Sequence, residues 1–588
     1  MEEAMGETGR GMTRRSFLQA AAAGTALVGA ASAMGWTPAF RIPVAGATTI
    51  PSPPGFPSTI SLYQQAYQNW SGEIVVQNVW TAAPATSADV VTIANWAHAN
   101  GWRVRPKGMG HGWSPLILPE GSTGADYLLV DTTQHLTNVS IQTSGTPATV
   151  TAQTGVTMDS LLASLGAKGL GLTANPAPGD LTLGGVLAIG GHGTAIKGSG
   201  ETALSGKTYG SVSNLVLSLT AVVWNASTGM YQLQTFSRNN PGIKPLLVHV
   251  GRAFITDVTL QVGADVNLQC VSSWTVPQTT LFAAPASAGS QSFQSLVLSS
   301  GRVEVISFPF TTLPWLKVWS IHPNQPFLSN KVSGPYNYAF ANTVSSTESA
   351  FIASLLKGVT SGTPTFENAE MAAVGTGLFF EGTGDIWGPS RYSTLYVKPT
   401  TLQVTANGYA ILCSTSSIQR VVYDFYTYYT NLVNQYASNG QYPMNGPIEF
   451  RVTGLDQTAD VVLSGAQQPQ LSAVRPRPDQ PSWNCAVWID ALTIPGTPYA
   501  DEFYTQLEAW MFSNYTGSYG AVRFEWSKGW AYTNSGGWSS PTAFGTTIPA
   551  MYTTGQAAGD GWSDAVATLD SYDPNRIFAG PLHDQLMP

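Results

Sequence analysis

Two glycine-rich loops, each carrying a histidine, constrain this chain more than any other feature. The first runs Pro106-Lys107-Gly108-Met109-Gly110-His111-Gly112-Trp113-Ser114. The second comprises Leu183-Gly184-Gly185 followed by Ile189-Gly190-Gly191-His192-Gly193-Thr194. Glycines at alternate positions let the backbone turn tightly and present bare N–H groups, an arrangement suited to a pyrophosphate. A histidine inside such a loop lies against whatever the loop cradles.

The surroundings of each loop read as an α/β unit. Ser87 is expected to cap a helix in which Val90, Ile93, Ala94 and Ala97 recur at helical spacing, and Gly101 ends it. Arg103-Val104-Arg105 then reads as a strand leading into the first loop. The second unit has a strand at 149–153, a helix from Thr157 to Lys168 with Leu161, Leu162 and Leu165 inward, and then Pro176-Ala177-Pro178-Gly179-Asp180-Leu181-Thr182. Further strands are expected over 214–223 and after Gly251-Arg252-Ala253-Phe254-Ile255.

This ordered series resembles the FAD-binding domain of the vanillyl-alcohol oxidase family, also called the p-cresol methylhydroxylase fold, over roughly residues 75–262. The resemblance implies FAD, attached covalently through His111 as in the family's oxidases. It implies cofactor-binding positions at Lys107, Gly108, Met109, Gly110, Gly112, Trp113, Pro178, Gly179, Asp180, Leu183, Gly184, Gly185, Gly190, His192, Gly193, Gly251 and Ile255. For His192, flavin contact and a backbone-positioning role both stand. The second, cysteinyl link of some members is not expected, since Cys270 is the first cysteine.

Composition narrows the function classes. The 588 residues suffice for a large core, with charged residues at 10% against about 25% in an average soluble protein. The 26 basic and 34 acidic residues include no basic cluster, which argues against a nucleic-acid partner. Cys270, Cys413 and Cys485 form no CxxC, and no HExxH occurs, so no metal site is expected. No G-x-S-x-G elbow suggests a serine hydrolase, and Ser205-Gly206-Lys207-Thr208 lacks the leading glycine of a P-loop.

At the N-terminus, Arg14-Arg15 precede a short Ala/Gly-rich apolar run and the small-x-small sites Ala31-Ser32-Ala33 and Ala45-Gly46-Ala47. Residues 1–47 resemble a twin-arginine signal peptide, a route for proteins folded before export. A periplasmic or extracellular location is the expectation.

The second half is aromatic and apolar. In Ile448-Glu449-Phe450-Arg451-Val452, a strand puts Glu449 and Arg451 on one face and Phe450 on the other. A structural salt bridge on a surface strand would give the same pair, but charge is so scarce here that a catalytic arrangement is favoured. Glu304 lies in an extended segment, 301–310, and Glu525 in Val522-Arg523-Phe524-Glu525-Trp526-Ser527-Lys528-Gly529-Trp530. The latter is similar to the family's closing H-W-G-K segment, with Glu525 replacing the histidine common in sugar-lactone oxidases. The K-G-M-G-H-G-W, I-E-F-R and E-W-S-K-G-W motifs together are most similar to the covalent-FAD, secreted bacterial branch that oxidises cholesterol-like sterols.

That resemblance implies oxidation of a 3-hydroxyl by O2 to the 3-ketone and H2O2, with Δ5 to Δ4 isomerisation and transient contact with a membrane surface to extract sterol. Glu449 is assigned as general base, with Glu304 and Glu525 as alternatives, and Arg451 as the stabiliser of developing negative charge. Two other readings stand beside it: a sugar or aldonolactone oxidase on the same scaffold, and a non-enzymatic secreted binding protein for apolar ligands.

The fold expected is α+β. Residues 48–265 form an FAD domain of two α/β subdomains, 266–500 a substrate domain with a large antiparallel sheet and its helices on one side, and 501–588 a segment returning to the FAD domain. Val421 to Tyr436 reads as one helix of the second domain, with Val422, Phe425, Tyr429 and Leu432 on its apolar face.

Overall fold

Alternating apolar strands and short amphipathic helices build the first of the three larger sheets in this computed structural model. It describes residues 50–122, 127–172, 175–338, 358–394, 396–397 and 403–588, with positions 12–13, 343–344, 352, 354–355. Apart from positions 12–13, the export-signal region lies outside the described residues. The first sheet contains β1 (Ser61–Gln68), β2 (Val75–Ala83), β3 (Arg103–Lys107) and β4 (Tyr127–Asp131), in the order β1-β2-β4-β3. The β2–β4 and β4–β3 pairs are parallel. Helix α1 (Ser87–Asn100) buries Val90, Ile93, Ala94 and Ala97, the expected face. Its N-cap is Thr86, one residue before the expected Ser87, because Asp89 then falls at the third helical position and closes a reciprocal capping box.

The second sheet is antiparallel. It orders β5 (Val139–Gln142), β6 (Ala148–Gln153), β7 (Val216–Asn225), β8 (Met230–Ser237) and β9 (Phe254–Ala264) as β8-β7-β9-β6-β5, with Leu170–Gly171 pairing β9. Two helices lie between β6 and β7 in sequence, α2 (Met158–Gly166) and α3 (Leu183–Ala188). Thr157 caps α2 through Ser160 N at 3.3 Å. Leu183-Gly184-Gly185, expected as open loop, is instead the first turn of α3, capped by the Thr182 hydroxyl.

The third sheet is large and almost wholly antiparallel. Its strands are β10 (Asn267–Ser273), β11 (Arg302–Ser307), β12 (Trp315–Ile321), β13 (Asp385–Pro389), β14 (Thr405–Cys413), β15 (Ile448–Gly454), β16 (Cys485–Thr493) and β17 (Gly520–Phe524). The order is β13-β10-β12-β11-β15-β16-β14-β17, with Asn330–Lys331 added parallel to β13. The longer helices of this half are α4 (Phe293–Ser300), α5 (Thr363–Phe380), α6 (Ile418–Ser438) and α7 (Ala500–Asn514). Helix α6 carries the expected apolar face and extends it to Ile418. Phe425 packs edge-on to Phe450 at 5.7 Å, and Tyr429 to Phe503 at 5.6 Å. The helices do not all lie on one side. Helix α5 packs Met371, Val374 and Leu378 against Ile306, Phe308 and Trp315, on the face of the sheet that bears Glu304.

Residues 501–588 divide between the two halves. β17 joins the large sheet, whereas α8 (Trp562–Tyr572) and α9 (Pro581–Leu586) meet the first half. Val104 N donates to Ile577 O at 2.7 Å, and buried Asp573 accepts from Arg252 Nη1 and the Tyr231 hydroxyl, both at 2.5 Å.

Candidate active site

Register across the large sheet gathers its charged residues into two adjacent rows. Ile306, Glu449, Asp490 and Gly408 lie opposite one another across β11, β15, β16 and β14. Two residues along each strand, Lys317, Glu304, Arg451 and Trp488 form the next row, which includes β12. Period-two alternation puts all of these on one face, while Phe450 enters the helix-packed core on the other.

Arg451 is the hub. Its Nη1 donates to Glu449 Oε2 at 2.9 Å and Glu304 Oε1 at 3.2 Å, and its Nη2 to Asp490 Oδ2. Burial opposes its charge, but Asp490, Glu449 and Glu304 hold it firmly protonated. Burial would raise Asp490 as well, yet Lys528, whose Nζ lies 3.5 Å away, and Arg451 keep that carboxylate below its usual range. Glu449 is shifted the other way: burial outweighs Arg451, and its proton affinity rises.

Glu525 goes furthest. Burial, then the charge of Asp490, pushes it up to about 8, so it carries a proton at neutral pH. Among the described residues, no donor reaches the buried Asp490 Oδ1 and Glu525 Oε2. A proton on Glu525 lets one donate to the other. Gly408 permits their approach, since a Cβ there would come 2.6 Å from Asp490 Oδ1 and 3.0 Å from Glu525 Oε2.

The two histidines take different positions. The His111 ring stacks on Trp70 at 4.4 Å, and its Nε2 lies 2.8 Å from Asp180 Oδ1, at contact distance without an aligned hydrogen bond. The His192 ring stacks on Trp488 at 3.5 Å and 11°, its Nδ1 donates to Gly193 O at 2.9 Å, and its Nε2 lies 3.9 Å from Glu525 Oε1. Burial, reinforced by Arg451, lowers His192 to about 3, so its imidazole is neutral.

Between the glycine loops and the charged rows lies a cavity of about 430 Å³. Its wall includes Glu304, Glu449, Arg451 and Glu525 from one half. From the other come Lys107 through Trp113, Pro178, Gly184, Gly185, Gly190, His192, Gly193, Gly251 and Ile255. Three residues expected at the cofactor are not on that wall. Gly179 backs onto the Asp159 carboxylate, Asp180 stands behind His111, and Leu183 is fully buried in the core as the first residue of α3. The residues missed in the sequence are Trp70, Asp490, Trp488 and Lys528. Asp490 had a signal, an acid inside the apolar run Cys485–Thr493, but its partners depend on register.

The loops fit a bulky, flat cofactor with a phosphate tail. A Cβ at Gly108 would overlap Thr182 Oγ1, and one at Gly184 would come 2.9 Å from Thr154 Cβ. Gly110, Gly190 and Gly251 adopt φ of +75°, +67° and +75°, which brings bare backbone to the wall.

Comparison with known proteins agrees. A family model described as FAD binding domain matches residues 80–228, and one described as cholesterol oxidase, substrate-binding, matches 267–588, more than half of the chain. The chain belongs to the cholesterol oxidase family. A solved structure of a solvent-stable cholesterol oxidase is 50% identical with a TM-score of 0.90, covering 92% of this chain and 100% of its own. The crystal structure of the cholesterol oxidase from Brevibacterium sterolicum is 40% identical at the same TM-score and coverage. A chitooligosaccharide oxidase, 11% identical with a TM-score of 0.52, shares the fold alone. Among curated relatives, the probable L-gulonolactone oxidase 6 of Arabidopsis thaliana is 28% identical over 161 residues, and the match spans about a quarter (26%) of each chain. Family membership carries the two-domain architecture, with an FAD-binding half and a substrate-binding half.

Proposed function

We propose that this chain is an FAD-dependent sterol oxidase. It converts the 3-hydroxyl of a cholesterol-like steroid to the ketone, with O2 reduced to H2O2, and then moves the double bond from Δ5 to Δ4. The observation that carries the reading is the largely buried Glu304–Arg451–Glu449 cluster on the cavity wall, opposite the loop that bears His111.

FAD bound in the cavity supplies a two-electron acceptor. Gly108, Gly110, Gly184 and Gly190 would let it approach the backbone. His111 is the attachment point: its ring is fixed by Trp70, with Nε2 turned to Asp180 and Nδ1 away from it. Covalent attachment suits a protein exported by the twin-arginine route to the periplasm or beyond, where lost cofactor cannot be replaced.

Glu449 takes the hydroxyl proton. Its raised proton affinity suits a carboxylate that must gain a proton and give it back. Arg451 holds that carboxylate in place at 2.9 Å and stabilises negative charge developing on the substrate oxygen. In the 3-keto-Δ5 product the C4 proton is acidified by the carbonyl. A carboxylate can carry it from C4 to C6, as the base of ketosteroid isomerase does.

Glu449→Gln, assayed separately for flavin reduction by sterol and for isomerisation of the 3-keto-Δ5 steroid, tests the assignment. Loss of about a hundredfold or more in either step is expected for a missing general base. Full retention of both removes Glu449 from the mechanism.

A further inference from the structure

Strand β17, at the rim of the large sheet, carries a buried positive charge. Arg523 is 1% exposed, and among the described residues no acceptor reaches its Nε or Nη2. Those two N–H groups form the side of a guanidinium that can grip an anion with two parallel bonds. Burial lowers the group to about 10, so it stays charged at neutral pH. An uncompensated charge in the interior strongly destabilises a fold.

The neighbouring carboxylates are already committed. Asp479 is gripped by Arg477, Nε donating to Oδ1 at 2.7 Å and Nη2 to Oδ2 at 2.5 Å. Asp560 accepts from Arg475 Nη2 at 2.5 Å and from Lys244 Nζ at 3.1 Å. Three guanidiniums, those of Arg475, Arg477 and Arg523, therefore share two carboxylates, one of which also serves Lys244. Arg475 is fully buried, and among the described residues its Nε likewise meets no acceptor. Tyr552 closes the cluster. Its ring centre lies 5.0 Å from Arg523 Cζ, and its hydroxyl is buried without an aligned hydrogen bond. The ring face offsets part of the charge. Water would satisfy the N–H groups without supplying the missing negative charge. The Asp479 side chain is 39% exposed, which leaves a way in from solvent.

We propose that Arg523, Arg475 and Tyr552 bind a chloride ion, held chiefly on the Nε–Nη2 side of Arg523. The burial of all three donors calls for a compact anion, and chloride accepts N–H and O–H donors from several directions at once. Register shows what the ion supports. Arg451 lies opposite Trp488, Trp488 opposite Ala410, and Ala410 opposite Arg523. The ion thus stands at the end of the row that holds the catalytic cluster, three strand spacings or about 14 Å from Arg451. It joins β17 to the segment between β15 and β16 that carries Arg475 and to the short helix Ile548–Thr553 that carries Tyr552.

The test melts the flavin-loaded protein and its Arg523→Met variant in mixtures of sodium chloride and sodium gluconate at constant ionic strength. An ion that binds only the folded chain raises the melting temperature with each tenfold increase in its concentration, by about one degree for a chain of this length. The wild type should show that rise and the variant none. No rise in the wild type, or an equal rise in both, overturns the proposal. Sodium acetate in place of chloride separates the anions: a rise with acetate and none with chloride would give the site to a carboxylate instead. Should the variant fail to fold, crystals of the wild type grown in sodium bromide decide. An anomalous peak beside Arg523 Nε and Nη2 supports the site, and ordered water alone at that position removes it.

Discussion

Glu525 shows how a single residue's surroundings set its chemistry. Its folded-state pKa of about 8 lies above the 4.5 of an ordinary glutamate, because burial and Asp490 disfavour a second negative charge. A raised pKa means that the folded state binds the proton more tightly than the unfolded state. Its contribution to stability is full below about pH 4.5, shrinks as pH rises and is gone above about pH 8. Glu525→Gln keeps the neutral form at every pH. Melting temperatures measured from pH 5 to 9 should therefore fall less steeply with pH in the variant, and an unchanged slope would place the proton elsewhere. At this scale the sequence was partly legible. Glu449, Arg451, Glu304 and Glu525 all reach the cavity wall, as their scarcity in a low-charge chain suggested. Asp490, Lys528 and Trp488 escaped because what they touch depends on which strands become neighbours. Chain position cannot give that: Glu449 and Asp490 are directly opposite yet separated by forty residues.

At the scale of elements, local rules set the helices and long-range contacts set their limits. The periodicity of α6 was plain, since Phe425, Tyr429 and Leu432 recur on one face and all are buried. The start of α1 shifted by one residue because the capping box with Asp89 decides between two adjacent hydroxyls. The turn at Gly184-Gly185 read as loop because glycine disfavours helix; the Thr182 cap and Gly184 N donating to Thr154 O at 2.8 Å override that propensity. The first glycine loop is held from outside as well. Trp113 N and Ser114 N donate to Ser527 O at 2.7 and 3.2 Å, so the closing segment of the substrate half braces the loop that carries His111. His111→Ala should leave this bracing intact. The expected variant is folded and still binds flavin, but its acid precipitate is colourless while that of the wild type is yellow. A yellow precipitate from the variant would put the attachment elsewhere.

At the scale of the whole molecule, the reaction chamber exists only where the two halves meet. Glycine loops from one half and the charged rows of the large sheet from the other enclose it, and α8 and α9 bind the chain's end back onto the first half through Asp573. This two-domain plan was legible from the order of motifs. The packing of α5 on the charged face was not, because its apolar residues carry no mark of which sheet face they cover. The central claim is that this chamber oxidises a sterol. The direct measurement is peroxide release by the purified, flavin-loaded protein given cholesterol in micelles or, separately, an aldose and an aldonolactone. One H2O2 per 3-ketosteroid formed, and none with the sugars, is the expected result. Peroxide from a sugar or lactone with none from the sterol would contradict it.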